Sequence, residues 1–214
     1  MIKKLYISIL LLLLCACSQN NNSKDYLSTQ YVDILKSGNY YMSYMDPTIT
    51  NDHTPILMEV ARKELIGAVR YDMNGSVITS IADNNNITLI VNGEVNNQLP
   101  IQEFRDALGL KSLAPDFSDL VFRSASDEKE MDGVAYYSET FEYRAQGNVY
   151  TIDFMYSNDH LQAIVFNNSG ALLKNPTIST TYPEDLFLIP EAHANYQNSS
   201  SAPALHFPAS STTP

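Results

Sequence analysis

Asn148-Val149-Tyr150-Thr151-Ile152-Asp153-Phe154-Met155-Tyr156 is the stretch that decides the fold. Tyr150, Ile152, Phe154 and Tyr156 recur at period two, the spacing at which an extended chain turns alternate side chains to one face. Aromatic and β-branched residues fill it, so it predicts a strand. Similar runs lie on either side, Val134–Arg144 before it and His160–Asn167 after it. The joints Gln146-Gly147-Asn148 and Ser157-Asn158-Asp159 have the composition of tight turns, which makes the three runs consecutive antiparallel strands. Val121–Ser126 is an earlier strand candidate, and the acidic run Asp127–Asp132 before Gly133 reads as a loop.

The same period appears nearer the N-terminus. Tyr40–Met45, Ile56–Lys63, Glu64–Met73, Ser76–Ala82 and Ile87–Val91 predict a meander, with Asn74-Gly75, Asp83–Asn86 and Asn92-Gly93 as turns. In Glu64–Met73 the odd positions predict a buried face and the even ones, Ile66 excepted, a mostly wet face. Before the meander, Leu27, Tyr31, Ile34 and Leu35 fall on one side of a helix that Ser23 or Asp25 can cap and Gly38 can end. Pro100 opens a second helix carrying Ile101, Phe104 and Leu108, with Gly109 just past its end. Leu110–Asp119 shows no pattern. Ile178–Thr181 is a last strand candidate, and residues 182–190 place apolar side chains between Pro183 and Pro190.

The ends are of different composition. Lys3 and Lys4 precede an apolar run from Leu5 to Leu14, too short to span a bilayer, which wants about 20 apolar residues. This is a signal sequence, and its close, Leu14-Cys15-Ala16-Cys17, resembles the bacterial lipobox. Only Cys17 has a small residue before it, so the resemblance implies cleavage after Ala16 and acylation of Cys17, which would hold the protein to a lipid bilayer. A plain signal peptide cut near Ala16, or an uncleaved anchor, are the alternatives. Residues 1–16 are then the signal peptide, 17–25 the lipidated Cys and an Asn/Ser-rich tether, 26–196 the folded domain, and 197–214 a disordered Ser/Pro-rich tail. With Cys15 removed, no disulfide and no cysteine metal site remain.

Charge and motif narrow the function. The 13 Lys and Arg against 24 Asp and Glu give −11, and removing Lys3 and Lys4 gives 11 − 24 = −13, against binding to nucleic acid or to anionic lipid through basic clusters. Fourteen Tyr and eight Phe without Trp suit a sheet-rich domain. There is no Gly-x-Ser-x-Gly, His53, His160, His193 and His206 are scattered, and no His-Glu-x-x-His occurs, so an enzyme, a metal site and a cofactor are not expected. Residues 127–132 carry Lys129 and lack the spaced glycine of a calcium loop. Alternation sets Glu139 and Glu142 on opposite faces, so with Asp153 they read as solvent-side charges rather than a glycosidase pair.

An amphipathic N-terminal helix, a long antiparallel meander, short covering helices and the close Glu184-Asp185-Leu186-Phe187-Leu188-Ile189-Pro190-Glu191 together resemble the LolA/LolB-like lipoprotein carriers. The resemblance implies an α+β fold, an antiparallel half-barrel with a few covering helices, whose concave face makes an apolar cavity for acyl chains. It implies no catalytic residue. Tyr150, Ile152, Phe154 and Tyr156, with Tyr137 and Phe141, are candidates to line that cavity, and equally to be packed core under a helix. Two functions follow. One is a membrane-anchored, non-enzymatic lipoprotein of the cell envelope that binds or carries a hydrophobic, lipid-like ligand. The other is a surface-displayed interaction module that contacts another envelope protein or a host molecule.

Overall fold

The computed structural model describes residues 26–47, 54–103, 113–145 and 147–191. The signal peptide, Cys17, the tether, the Ser23 and Asp25 caps, most of the second helix and the tail lie outside the described residues. Helix α1 (Thr29–Lys36) is followed by eleven strands: β1 (Asn39–Asp46), β2 (Ile56–Lys63), β3 (Ile66–Met73), β4 (Ser76–Ala82), β5 (Asn86–Val91), β6 (Glu94–Pro100), β7 (Val121–Met131), β8 (Val134–Ala145), β9 (Asn148–Ser157), β10 (His160–Phe166) and β11 (Ala171–Ser179). A single 3-10 turn, Glu184–Phe187, follows them.

All eleven form one antiparallel sheet in the order β6-β5-β4-β3-β2-β1-β11-β10-β9-β8-β7. The sheet is two meanders, β1–β6 and β7–β11, zipped together by β1 against β11, where Tyr41 faces Ser179 and Met42 faces Ile178. Its edges, β6 and β7, do not pair with one another among the described residues, so it is an open half-barrel. Local chemistry sets the turns. Asn74 and Gly75 both take positive φ, 56° and 80°, the conformation a two-residue hairpin needs and one that Asn and Gly reach at least cost. Gly38, at φ 73°, ends α1 in the left-handed region.

The chain leaves one edge at Pro100 and re-enters at the opposite edge at Val121. Ten strand spacings of about 4.8 Å separate those edges along the sheet, some 48 Å, and the intervening twenty residues (120 − 100) reach at most about 70 Å when extended. The described parts of that connection, residues 101–103 and 113–120, both pack on the concave side. Ile101 packs on Ala82 and Ile87, and further along Ala114, Phe117 and Leu120 are buried in the main core. Of residues 110–119, without pattern in the sequence, the described part thus supplies Ala114 and Phe117 to the core.

Several boundaries differ from expectation. The acidic run is strand: β7 continues to Met131, with bulges between Phe122 and Ser124 and between Ser126 and Lys129 that absorb the misfit, and only Asp132-Gly133 turns. Glu94–Pro100 is an edge strand whose polar sequence hid it, and Pro100 ends that strand, with residues 101–103 helical after it. Strand β11 begins at Ala171, seven residues before Ile178, and ends at Ser179. On the expected wet face of β3, Ile66 is exposed but Ala68 is not: it is buried with Ala61, Ile81, Ile90 and Leu186 under the C-terminal turn on the outer side of the sheet.

Candidate functional site

The concave face carries the main hydrophobic core, and its two wings are covered unequally. On β8–β11, Phe141, Tyr143, Ile152, Phe154, Tyr156, Ile164 and Leu173 are buried beneath Val32 and Leu35 of α1 and Phe117 of the crossing segment. The four expected cavity residues are brought together here, with Tyr150 half-buried and Ile152, Phe154 and Tyr156 at 1%, 0% and 2% exposure. Phe154 meets Phe141 edge to face at 5.5 Å, and Tyr143 stacks on Tyr150 at 5.5 Å.

The other wing is less covered. Register aligns Val69 with Ser80 and Leu89, and Tyr71 with Ile78 and Val91, and Val69 packs against the main core, which fixes these positions as inward-facing. All six are only half-buried. Among the described residues the strip Val69, Tyr71, Ile78, Leu89 and Val91 is therefore an inner apolar surface only partly covered.

Polar groups hold the covering pieces in place. Glu139 stands in the middle of the packed wing, opposite Phe154, where strand alternation points it inward. It is fully buried, contrary to the expectation of a solvent-side charge. Its Oε1 accepts the backbone N–H of Leu27 and the hydroxyl of Tyr137, both at 2.9 Å, and its Oε2 accepts the backbone N–H of Ser28 at 2.9 Å and the Ser28 hydroxyl. Ser28 occupies the N-cap position of α1, yet its side chain bonds to Glu139 instead of capping the helix. Burial, and then the bond to Glu139, pushes the Tyr137 phenol up to about 12, so it remains a donor at any ordinary pH. Among the described residues the neighbouring Tyr156 hydroxyl is buried with no hydrogen bond of ordinary geometry, and that burial raises its pKa well above the usual phenol value.

The crossing segment is tied from below. Tyr40 donates its hydroxyl to the carbonyl of Pro115 at 2.8 Å, and Arg62 donates to the carbonyl of Ala114 at 3.3 Å and to Asp116 at 3.0 Å. The far end of α1 is fastened to the same segment by Lys36 Nζ on the carbonyl of Leu120, 3.2 Å away. On the outer face Asp153, also fully buried against expectation, accepts from Lys129, from Thr140 at 2.5 Å and from Asn167 at 2.8 Å. Lys129 is the residue of the acidic run that draws edge strand β7 over the sheet. Glu142, on the opposite face from Glu139 as alternation requires, pairs at the surface with Arg123.

Sequence reasoning missed Glu139 and Asp153 because a charge alternating with aromatics reads as the wet side of a strand. A signal was present for Glu139: it shares the period-two register of Tyr137 and Phe141, the face already assigned inward.

No protein-family model matches the chain, and no curated protein matches it. Among solved structures, the crystal structure of the Mycobacterium tuberculosis lipoprotein LppX is similar over 72% of this chain and 91% of that one, at 16% identity and a TM-score of 0.35. At that score and identity the likeness carries nothing about what this chain binds. The fold itself, an open eleven-stranded antiparallel half-barrel with few helices, stands on the strand pairings.

Proposed function

We propose that the protein is a non-enzymatic lipoprotein of the cell envelope, held to a bilayer by acylated Cys17, whose half-barrel binds or carries a hydrophobic, lipid-like ligand. The observation that carries this is the unequal covering of the concave face. A sheet that served only as scaffold would bury both wings. Here Tyr71, Ile78, Leu89 and Val91 form an apolar inner strip left half-covered, and apolar surface left in contact with water is unfavourable by about 25 cal/mol per Å². A ligand of acyl-chain character relieves that, with Tyr150, Ile152, Phe154 and Tyr156 as the packed wall further in.

The signal sequence and lipobox support the location, and the scattered histidines support a binding role over a catalytic one. The tight packing around Phe154 favours the second function, an interaction module with a filled interior, for that wing of the sheet. Titration with a fluorescent fatty acid, on the wild type and on a variant with added bulk in the half-covered strip, separates the two.

A further inference from the structure

The outer face carries a feature that the lipid-binding role does not use. Beside the Glu184–Phe187 turn, β2, β3 and β4 form a groove of about 330 Å³. Its walls are Leu57 and Val77, which stand 51% and 41% exposed on the face where Ala61, Ala68 and Ile81 are buried with Leu186. Arg70 and Glu59 also line it, together with Asp72 and Asp185.

The balance of charge decides the sign of what fits. Arg70 is held through three of its five N–H groups: Nε and Nη2 donate to the two oxygens of Glu59 at 2.6 and 3.0 Å, and Nη1 donates to Asp185 Oδ2 at 2.9 Å. Tyr41 adds a further donor to Glu59 at 2.7 Å. Asp72 uses Oδ1 to accept the N–H of Gly75 at 2.8 Å. Among the described residues Asp72 Oδ2 and Asp185 Oδ1 accept no hydrogen bond, which leaves two carboxylate acceptors open to a ligand. Three carboxylates surround one guanidinium, and the chain as a whole is at −11, a field of the same sign. An anion would meet more negative than positive charge there. A cation on an apolar stem meets apolar walls along its length and carboxylates at its end. The apolar rim continues past Asp185 into Leu188 and Ile189, 64% and 43% exposed, which is more contact surface than a small amine uses and suits a protein.

We propose that this groove docks a lysine side chain of a partner protein, with its methylenes against Leu57 and Val77 and its ammonium among Asp72, Asp185 and Glu59. The site is on the outer face, so its success or failure is independent of ligand binding on the inner face.

The test is a titration of the isotope-labelled full-length protein with the peptide acetyl-Val-Lys-Val-amide, followed by amide shifts. Saturating shifts centred on Leu57, Val77 and Asp185 are expected. Replacing the lysine by norleucine should weaken binding about fivefold, the size of one partly exposed ion pair, and so should the double variant Asp72→Asn with Asp185→Asn. The carboxamide that replaces the Asp72 carboxylate still offers an oxygen to the N–H of Gly75, and a melt of the double variant checks that it folds as the wild type does. Absence of binding, shifts centred elsewhere, or equal binding of the norleucine peptide would overturn the proposal. So would n-hexylammonium binding as tightly as the peptide, since the groove would then be a small-amine site and not a protein contact.

Discussion

Glu139 and Ser28 lie 111 residues apart and form the joint between the first helix and the sheet: one buried carboxylate oxygen receives both the backbone N–H and the hydroxyl of that serine. A buried charge is tolerated when donors surround it, and here the donors come from the start of α1 and from Tyr137. Glu139→Ala would strand the N–H groups of Leu27 and Ser28 in the interior, so it should lower stability by about 3 kcal/mol, while Glu139→Gln, which keeps an acceptor, should cost roughly half of that. Urea melts of the two variants check the order. An alanine variant as stable as the wild type would mean that α1 is not docked through this carboxylate.

The crossing segment provides a second case. Tyr40→Phe keeps the ring against Phe117, 5.7 Å between centroids, and removes only the bond to the Pro115 carbonyl. The expected loss is about 1 kcal/mol, with a rise in binding of an apolar dye as the cover loosens. Unchanged dye binding would show that the packing of Phe117 alone holds the segment down.

Acid should weaken the protein through Glu59. Burial works against its charge, but hydrogen bonds from Arg70 and Tyr41 outweigh this and hold its pKa below the ordinary glutamate value of 4.5. A depressed folded-state pKa contributes stability that is present above the unfolded value and is lost as pH falls through the folded one. The loss therefore falls below about pH 4.5. Glu59→Gln should flatten the fall in melting temperature between about pH 6 and pH 3 relative to the wild type. An identical pH profile for the two proteins would remove Glu59 from the account of acid sensitivity.

Much of this fold was legible because strand and turn signals are local. The stripe Tyr150, Ile152, Phe154 and Tyr156, and the pairs Asn74-Gly75 and Asn92-Gly93, specify strands and hairpins without reference to anything distant. What was not legible depends on partners far away in sequence. Residues 127–131 form a strand because Lys129 reaches the buried Asp153 and β8 supplies the ladder, and neither can be seen from an acidic hexapeptide. Among the described residues Glu94–Pro100 pairs on one side only, so the demand for apolar alternation is weak there. Of the candidate site, the aromatic wall was visible in advance. The half-covered strip on β3–β5 was not, because which wing is filled depends on where α1 and the crossing segment come to lie.

The anchor is tested separately from the domain. Cys17→Ser removes the only acylation site that the lipobox pattern selects, so unprocessed or soluble protein should replace the membrane-bound form on fractionation. Equal partitioning of the variant and the wild type with membranes, with the same N-terminus, would contradict lipid anchoring through Cys17.

Uptake of a fluorescent fatty acid tests the central claim most directly. The wild type should bind the probe, and Ile78→Trp, which adds bulk to the half-covered strip, should weaken that binding with its melting curve unchanged, because the indole takes space from the ligand and not from neighbours. Phe154→Trp, at a position with no exposure, should instead overpack the interior and lose about 1 to 3 kcal/mol of stability. A wild type that never binds the probe, or an Ile78→Trp protein that is destabilised with probe binding intact, would contradict the carrier account and leave the filled interaction module in its place.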